Sequence, residues 1–526
     1  MNWIQKISQY YGYDEAQVEK LMKPTSEFDL PSPTQFAQMD LAVARIHRAM
    51  EEKQKIVIYG DYDCDGVMAT SILVAAFGKL SYPVGYYLPS RYLDGYGLNV
   101  QKVEEMAEKG YQLIITVDNG INQIEAVEKA KSLGIDVIVT DHHELSGDMV
   151  DAYAILHPYY SHYGDVICCG AYVSYMLAIA LLGHPDDYLL SLASIATISD
   201  MMELKGYNRD IVRLGLEYIN THHYRTIFSL TSAPQIEESE IASQIAPAVN
   251  AIGRMVENTS INRLVSYFVH IDDVEQVTKL AQWILSINEE RRKYTRELMN
   301  IEINQEEPAI LEVLDVKEGV LGIIANQWLM KENRCTLVLT KDSTQEGVYK
   351  GSIRSKDGLS VVSLLKEYPG ELLHFGGHAL AGGISFKEEE LPKFRAYFMN
   401  YAQEHPFIKK EEKTISIDLS EITMENYRIL RQFAPFGVGN PAPMFSLKHL
   451  ATSGLSYSAN GQHIFTSLSL TSRLVGFNHS REEMSQYSHF SCLGSMCISY
   501  FHRHAYLDFR MQEMEKEGIP ASTTGA

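Results

Sequence analysis

Residues 59–67, YGDYDCDGV, place three aspartates at alternate positions directly after the apolar run KIVIYG (55–60). Asp61, Asp63 and Asp65 carry charges of one sign, so bringing them together costs free energy unless a cation neutralises them. Hard divalent ions prefer oxygen ligands, and manganese and zinc also accept imidazole. The stretch therefore predicts a strand that ends at a metal site, with an Asx-rich turn as the alternative if it is considered alone.

Three further apolar runs have the character of short buried strands, and helical patterns separate them. The runs are PVGYYL (83–88), QLIITV (112–117) and DVIVT (136–140), and helices are expected to begin near Gly66, Asn99 and Ile121. Alternation of strands and helices predicts an α/β fold with a doubly wound parallel sheet. In such sheets the ligand crevice lies at the carboxyl ends of the strands.

Polar clusters also follow the third and fourth of these strands. The sequence DNG begins at Asp118, and DHHE (141–144) contains His142 and His143. Because parallel strands end at the same edge of a sheet, these side chains should meet the aspartates that follow the first strand. Three acidic clusters at equivalent positions favour an active site over three unrelated turns.

The composition is that of a soluble, multi-domain globular protein: 526 residues, 45% hydrophobic and 21% charged. The formal net charge of −21 does not by itself favour a nucleic-acid partner, since phosphates attract basic proteins. Bound divalent ions and a local basic groove would offset this charge. We therefore expect modest, strongly salt-dependent binding to any nucleic acid.

The sequence predicts a cytoplasmic protein without a membrane segment. Residues 1–24 lack the features of a secretory signal, and the longest apolar run, AYVSYMLAIALLG (171–183), is too short to span a bilayer and predicts a buried helix. The six cysteines form no recognisable disulfide framework, which is typical of a reducing compartment.

Several motifs resemble one known superfamily. YGDYDCDG, VDNG and VTDHHE resemble motifs I to III of the DHH phosphoesterases, and ATISDMMELKGYNR (196–209) resembles motif IV, with Asp200 as its acid. Three further stretches resemble the end of the catalytic region and the associated DHHA1 domain of this superfamily. They are APAVNAIGRM (246–255), KGSIRS (350–355) and GGHALAGG (376–383). APFGVGNPAPMF (434–445) resembles the signature that precedes the oligonucleotide-binding (OB) barrel of RecJ-like exonucleases. Over residues 40–480 the chain is thus similar to the RecJ-like single-stranded-DNA-specific exonucleases.

The resemblance implies two divalent ions, Mn²⁺ or Mg²⁺. It assigns Asp63 to one ion, Asp65 to the other and Asp118 to both, while His142 and Asp200 complete the second site. His143 would lie beside that site, near the scissile phosphate or as an alternative ligand. Asp61 is left between orienting a ligand and a structural role. Tyr59 stands where some relatives have a metal-binding histidine, which implies a weaker site. The implied catalytic residues are Asp63, Asp65, Asp118, His142, His143, Asp200 and His378.

The resemblance also implies residues that hold phosphates of the substrate. These are Arg254, Ser352, Arg354 and His378, with Arg91 as a further candidate. Lys317 and Gln327 depart from the family pattern, where histidine and arginine are usual, so one contact to the strand is in question.

The sequence divides into five predicted regions. They are a helical lead-in (1–40), a DHH catalytic domain (41–265), a linking helix (266–305), a second α/β domain of DHHA1 type (306–408) and an OB-like β-barrel (414–520).

The function implied by the resemblance is 5′-to-3′ exonuclease action on single-stranded DNA, preferably with a 5′ phosphate, releasing 5′-mononucleotides in DNA repair and recombination. Implied partners are single-strand-binding protein and a repair helicase, and a monomer is expected. The acidic charge leaves a phosphodiesterase for short oligonucleotides or cyclic dinucleotides as an alternative. A non-catalytic replication accessory protein is a second, more remote alternative.

Overall fold

The computed structural model describes residues 2–408, 413–501 and 504–518. Two short helices come first, α1 (Trp3–Tyr11) and α2 (Glu15–Met22), and each begins with a capping box in which Asn2 or Asp14 pairs with a glutamine three residues later. The predicted lead-in is therefore helical. Its first helix packs away from the catalytic sheet, because Trp3 and Ile7 belong to the apolar core of the C-terminal domain.

The first sheet is parallel throughout, with strand order β2-β1-β3-β4-β5. Its strands are β1 (Lys55–Tyr59), β2 (Gly85–Tyr87), β3 (Tyr111–Val117), β4 (Asp136–Thr140) and β5 (Ala154–Leu156). The helices of this part are α3 (Met39–Glu51), α4 (Cys64–Lys79), α5 (Val100–Glu108) and α6 (Ile124–Ser132). Alternate strand residues enter separate apolar cores on the two faces of the sheet. The prediction of a doubly wound parallel sheet is confirmed.

A helical layer follows the sheet. It consists of α7 (Gly170–Leu182), α8 (Asp187–Ser199), α9 (Gly206–His222), α10 (Arg225–Phe228), α11 (Glu238–Glu240), α12 (Ala246–Met255), α13 (Arg263–Val269) and α14 (Val274–Leu298). A π-helical turn, Ile241–Ile245, joins α11 to α12. Helix α7 is buried on nearly all sides, as its apolar sequence predicts. Within the described ranges, no helix combines the length and apolar character needed to cross a membrane.

Helix α14, 25 residues long, leads to a second α/β domain. This domain contains β6 (Ile310–Val313), α15 (Leu321–Glu332), β7 (Thr336–Lys341), β8 (Val348–Arg354), α16 (Val361–Lys366), β9 (His374–His378), β10 (Ala381–Lys387) and α17 (Leu391–Glu404). Its sheet has the order β6-β7-β8-β10-β9, parallel between β6 and β7 and antiparallel elsewhere.

The C-terminal domain is built on six strands in the order β11-β12-β15-β16-β14-β13. Its elements are β11 (Thr414–Ser416), α18 (Met424–Arg431), β12 (Met444–Ala451), β13 (Ile464–Ser467), β14 (Ser472–Gly476), α19 (Arg481–Met484), β15 (His489–Phe501) and β16 (His504–Glu517). Among the described residues, no backbone pairing joins β11 to β13, so hydrogen bonds do not close the predicted barrel.

An ion pair joins the C-terminal domain to the catalytic domain. Arg431 donates to both carboxylate oxygens of Glu238, at 2.6 and 2.7 Å, and the Phe436 amide donates to the same carboxylate at 2.9 Å. Tyr427 donates to Glu237 at 2.8 Å. Burial acts to raise the pKa of Glu238, but Arg431 and these hydrogen bonds hold it below its ordinary value of 4.5. The junction is therefore a buried charge pair in which both carboxylate oxygens of Glu238 accept hydrogen bonds.

Candidate metal centre

The candidate site lies where β1, β3 and β4 end at one edge of the parallel sheet. Asp63 caps helix α4, and its carboxylate accepts a hydrogen bond from the Gly66 amide at 3.1 Å. Asp118 directly follows β3, and His142 follows β4 by two residues. The convergence expected from the sequence is thus present in the structure, because adjacent parallel strands carry these residues to the same edge.

His142 lies at the centre of one half of the cluster. Its Nε2 atom is 3.1 Å from Asp118 Oδ1, 3.6 Å from Asp200 Oδ2 and 3.7 Å from Asp65 Oδ2. Asp200 comes from the C-terminal end of α8, which no strand-end argument would place here. Candidate ligand atoms of Asp65, His142 and Asp200 all lie within 4.8 Å of one another.

The other half of the cluster contains Asp61, Asp63 and Asp118, with ligand atoms again within 4.8 Å of one another. Asp61 is only 3% exposed. Its role was left open by the sequence, and the structure places its carboxylate within ligand distance of the two others. Asp118 also belongs to a third group, with His142 and His143, so it is the residue that the two halves share.

The cluster is electrostatically unsatisfied. Burial, and then the charges of neighbouring aspartates, raise the pKa of Asp61, Asp63 and Asp118 above its ordinary value. Among the described residues, no hydrogen bond reaches Asp61 Oδ1, Asp118 Oδ1 or Asp200 Oδ2. Buried carboxylate oxygens without donors are costly, and hard divalent cations are the ligands that such oxygens and a neutral imidazole prefer. The residues present therefore fit a divalent metal centre.

The two adjacent histidines have different electrostatic environments. Burial lowers the pKa of His142 to about 4, so its ring is neutral and available as a ligand. Burial also acts to lower the pKa of His143, but the hydrogen bond from its Nδ1 to Asp141, 2.7 Å long, and the charge of Asp141 raise it to about 9. The Tyr96 hydroxyl lies 3.3 Å from His143 Nε2.

Asp141 and Tyr96 were not among the predicted site residues. Asp141 is buried and also accepts hydrogen bonds from the Ile121 and His142 amides, at 2.9 and 2.7 Å. It holds the DHH loop and His143 in place. Its position beside two histidines was the signal available in the sequence. Tyr96 had no such signal.

Helix α7 supports the cluster from its N-terminal end. The amides of Gly170 and Ala171 donate to Asp65 at 2.7 and 2.8 Å, where the helix dipole stabilises a carboxylate. A Cβ atom at residue 170 would lie 2.6 Å from the Cβ of Asp118, so any side chain there would displace that aspartate. Asp118 itself has a φ of +61°, an uncommon backbone conformation that is often found at functional sites. No sequence motif had marked Gly170.

A cavity of about 140 Å³ connects the acidic cluster to cationic side chains. It is lined by Tyr62, Asp63, Asp65, Arg91, Ser199, Asp200, Asn250, Gly253 and Arg254. The guanidinium group of Arg91 stacks 4.3 Å above the Tyr62 ring. Asn250, which sequence reasoning missed, accepts a hydrogen bond from the Cys64 amide at 2.8 Å and so ties α12 to the start of α4.

The predicted phosphate-binding residues approach from two domains. Burial, and then repulsion from Arg91, Arg291 and Arg354, lower the pKa of Arg254 to about 10. In the second domain, Arg354 donates to the Ser352 hydroxyl at 2.8 Å. A Cβ at Gly322 would lie 2.6 Å from Arg354 Nη2, so glycine leaves room for this side chain. The arginines are neighbours although they repel one another, which favours an anionic ligand between them.

His378 lies in the second domain, in register with Arg354, because both residues pair with Ala381 of β10. His378 ends the exposed edge strand β9, and within the described ranges it makes no side-chain hydrogen bond or ion pair to the aspartates or arginines. Lys317, where the family has histidine, donates to the Met255 carbonyl at 3.2 Å and pairs with Glu257. Tyr59 donates to the Gly97 carbonyl at 3.1 Å.

Family models match residues 55–198 (DHH family, N-terminal domain), 306–404 (DHHA1 domain) and 415–513 (RecJ OB domain). The single-stranded-DNA-specific exonuclease RecJ of Bacillus subtilis is 34% identical over 93% of this chain, and the match spans 64% of that relative. RecJ of Escherichia coli K12 is 30% identical over 78% of each chain.

A crystal structure of RecJ from Thermus thermophilus in complex with Mn²⁺ superposes with a TM-score of 0.80 at 24% identity. The superposition covers 98% of this chain and 76% of that one, which shows a common fold. The chain belongs to the RecJ family of single-stranded-DNA-specific exonucleases, as its motifs predict.

Proposed function

We propose that this protein is a metal-dependent exodeoxyribonuclease that degrades single-stranded DNA from its 5′ end and releases 5′-mononucleotides in DNA repair and recombination. The observation that carries the proposal is the 140 Å³ cavity with Asp63, Asp65 and the unsatisfied carboxylate of Asp200 on one side and Arg91 and Arg254 on the other. Such a cavity suits one phosphodiester group in contact with metal ligands and with cations. The names of the relatives support the substrate class.

Two divalent ions, Mn²⁺ or Mg²⁺, are the proposed cofactors. Asp61 and Asp63 would hold one ion, and Asp65, His142 and Asp200 the other, with Asp118 shared. The Thermus thermophilus relative was crystallised with Mn²⁺, which supports this assignment. When bound, such ions neutralise charge on the attacking and leaving oxygens of an in-line displacement and lower the pKa of water.

The protein's own cations would hold and orient the strand. Arg91, Arg254 and Arg354 have no carboxylate within 4 Å among the described residues, so their guanidinium groups can bind phosphate. A terminal 5′ phosphate carries more charge than an internal phosphodiester and would be favoured by this arrangement. We place Ser352 beside Arg354 in the same contact, and His378 two strands away from Arg354 in the same cross-strand row, since both pair with Ala381.

His143 is proposed as a cationic contact to the scissile phosphate. In the metal-free protein the hydrogen bond and charge of Asp141 raise the pKa of His143 to about 9, so both ring nitrogens carry protons there; the Tyr96 hydroxyl lies 3.2 Å from Nδ1 and 3.3 Å from Nε2. A protonated Nε2 can donate to a phosphate oxygen, whereas the Nε2 atom of His142 faces the carboxylate cluster, where it would serve as a metal ligand. The two histidines would therefore have separate roles, ligand and proton donor.

The alternative functions make different predictions for the sequence. A non-catalytic accessory protein should lack metal ligands, but Asp63, Asp65, Asp118, His142 and Asp200 are all present and adjacent. A phosphodiesterase for short oligonucleotides or cyclic dinucleotides has no need of the domain at 415–513 that matches the RecJ OB model.

We further propose a cytoplasmic monomer with single-strand-binding protein and a repair helicase as partners. Light scattering of the purified protein and co-precipitation with the two partners test this proposal.

The test of function is degradation of a long single strand with a 5′ phosphate in the presence of Mn²⁺. The same strand in a duplex, a dinucleotide and a cyclic dinucleotide serve as comparison substrates, and an Asp118→Ala variant serves as control. We expect progressive release of mononucleotides from the 5′ end of the single strand only, and none with the variant. Cleavage restricted to the dinucleotides would contradict the proposal, as would equal activity of the variant.

A further inference from the structure

A second cavity lies outside the metal centre, where α2, the start of α9 and the turn at Gly439–Asn440 meet. Its volume is about 510 Å³, within the range of small-ligand sites, and none of its lining residues lines the metal-centre cavity. We call it the α9 cavity. The cationic side chains that line it are Lys20, Lys23, Lys205, Arg209 and Arg213, against the two acids Asp29 and Asp210. In a chain with a net charge of −21, this is a local excess of positive charge.

The N-terminus of a long helix opens into the α9 cavity. Helix α9 has 17 residues and begins at Gly206, which lines the cavity together with its N-cap residue, Lys205. No side chain accepts a hydrogen bond from the first-turn amides of this helix. A helix N-terminus with free amides attracts anions, and phosphate groups in particular.

Arg209 is the independent observation that points to a ligand. The residue is only 6% exposed, and its Nη1 atom donates to the Phe433 carbonyl at 3.0 Å. Its Nη2 atom has no hydrogen-bond partner among the described residues, and no carboxylate of those residues lies within ion-pair distance of it. Burial, and then Arg213, lower the pKa of Arg209 to about 10 although Asp210 and Glu238 act in the opposite direction, so a bound anion would stabilise its charge.

The turn of the APFGVGNP motif forms the wall of the cavity. Asn440 donates to the Phe433 carbonyl that Arg209 also contacts, at 3.0 Å. Gly439 has a φ of +75°, and a Cβ there would lie 3.3 Å from the Glu203 side chain. The motif thus fixes the carbonyl that orients the Arg209 side chain.

We propose that the α9 cavity binds the phosphate group of a nucleotide. Arginine and a helix N-terminus are the two protein groups best suited to phosphate, and the Tyr13 ring lines the same cavity, where a base can stack. Two sources offer this chemistry: a free nucleotide, or a backbone phosphate of a strand that also occupies the metal centre. The proposal does not depend on the exonuclease function, because it concerns residues outside the catalytic cavity.

Binding of inorganic phosphate, measured by calorimetry in a metal-chelating buffer, tests the proposal. The test variant carries Lys20→Glu and Lys205→Glu, which are exposed positions, and the control carries Lys279→Glu and Lys366→Glu, exposed lysines outside the α9 cavity. Thermal melts of all proteins check folding. Any phosphate that binds at Arg91 and Arg254, outside the α9 cavity, should bind equally to all three proteins. We expect the test variant to lose one phosphate site, with affinity reduced by about tenfold or more, and the control to retain it.

A second arm, with oligothymidylate, distinguishes the two sources. If the cavity holds the strand, the test variant will also bind the oligonucleotide more weakly and with a shallower salt dependence. If it holds a free nucleotide, phosphate affinity will fall while oligonucleotide binding stays unchanged. Equal phosphate binding by the parent, the test variant and the control would overturn the proposal.

Discussion

Two buried groups of charges in this molecule have opposite arrangements. At the strand ends of the catalytic domain, carboxylates of one sign lie within 4.8 Å of one another, and several of their oxygens lack a hydrogen bond within the described residues. At the junction with the C-terminal domain, Glu238 meets Arg431 in a two-fold hydrogen bond and also accepts from the Phe436 amide. Both groups are buried, but only the second is neutralised by the protein itself.

The difference separates a functional group from a structural one. A charge pair that satisfies itself needs nothing from solution and can hold two domains together. A cluster that repels itself lowers the stability of the fold, and its cost is removed only when an external cation binds. Buried charges of the same sign that lack partners are therefore a stronger indication of a binding site than a buried ion pair. Substitutions in the two groups should accordingly have different effects on activity and on stability.

The largest effect is expected from Asp118→Asn. Loss of the shared ligand removes several kcal/mol of transition-state stabilisation, so exonuclease turnover should fall by about a thousandfold or more. Without divalent ions, however, the variant should unfold at the same or a higher denaturant concentration than the parent, because one repelling charge is gone. Asp151→Asn, at an exposed ion pair with Lys131, is the control. If the variant is inactive and also unfolds at a lower denaturant concentration in chelator, the aspartate cluster does not destabilise the metal-free fold, contrary to our interpretation.

Glu238→Gln should have the next largest effect, and on stability. The substitution removes the carboxylate that holds Arg431 with two hydrogen bonds and leaves it only the 3.4 Å contact with Glu237, so the free energy of unfolding should fall by about 3 kcal/mol in urea titrations. Metal binding should be unchanged, since the junction shares no residue with the acidic cluster. The exposed Glu389→Gln serves as control and should change stability by no more than about 0.5 kcal/mol. Loss of Mn²⁺ affinity in Glu238→Gln would show that the two regions are coupled.

Addition of divalent metal should stabilise the parent protein. At a Mn²⁺ concentration about 100-fold above Kd, the free energy of unfolding should rise by about 2.7 kcal/mol, because the ion binds the folded state only. Thermal melts over a concentration series measure this rise. Asp118→Asn should show a clearly smaller shift, whereas Glu238→Gln should show the full one. Equal shifts in the parent and Asp118→Asn would mean that the ions bind elsewhere.

The smallest expected effect is the change in the stability difference between the parent and Glu238→Gln at acidic pH. The pKa of Glu238 is lowered in the folded state, so its ionised form contributes stability above pH 4.5, and this contribution is lost as pH falls through the lower, folded-state pKa. The stability difference between the parent and Glu238→Gln should therefore be constant near neutrality. It should shrink below pH 4.5, by no more than about 1.4 kcal/mol per pH unit. A difference that grows on acidification would reverse the assigned direction of the pKa shift.

The sequence predicted those features that follow from local pattern. Four of the five strands of the first sheet were visible as apolar runs, and the rule that parallel strands end at one edge brought Asp63, Asp118 and His142 together. The assignment of Asp200 came from the family resemblance alone, since it lies at the end of a helix.

Contacts between distant parts of the chain could not be predicted in this way. The amides of Gly170 and Ala171 hold Asp65 across more than 100 residues, and Glu238 meets Arg431 across 193. Such contacts depend on how helices pack in three dimensions, which no local periodicity encodes. The register that aligns His378 with Arg354 through Ala381 likewise depends on strand pairing that no local pattern encodes.

The position of α1 has a consequence for the order in which the protein is made. Trp3 packs against Phe445 with ring centroids 5.6 Å apart and the rings tilted, and it donates to Glu421, 418 residues away, at 3.2 Å. At a synthesis rate of about 5–20 residues per second, about 20–80 s pass between translation of Trp3 and of Glu421. During that time the apolar face of α1 has no partner and is open to chaperones on the ribosome. Helix α1 is thus translated well before its partners and is among the last elements to reach its native packing.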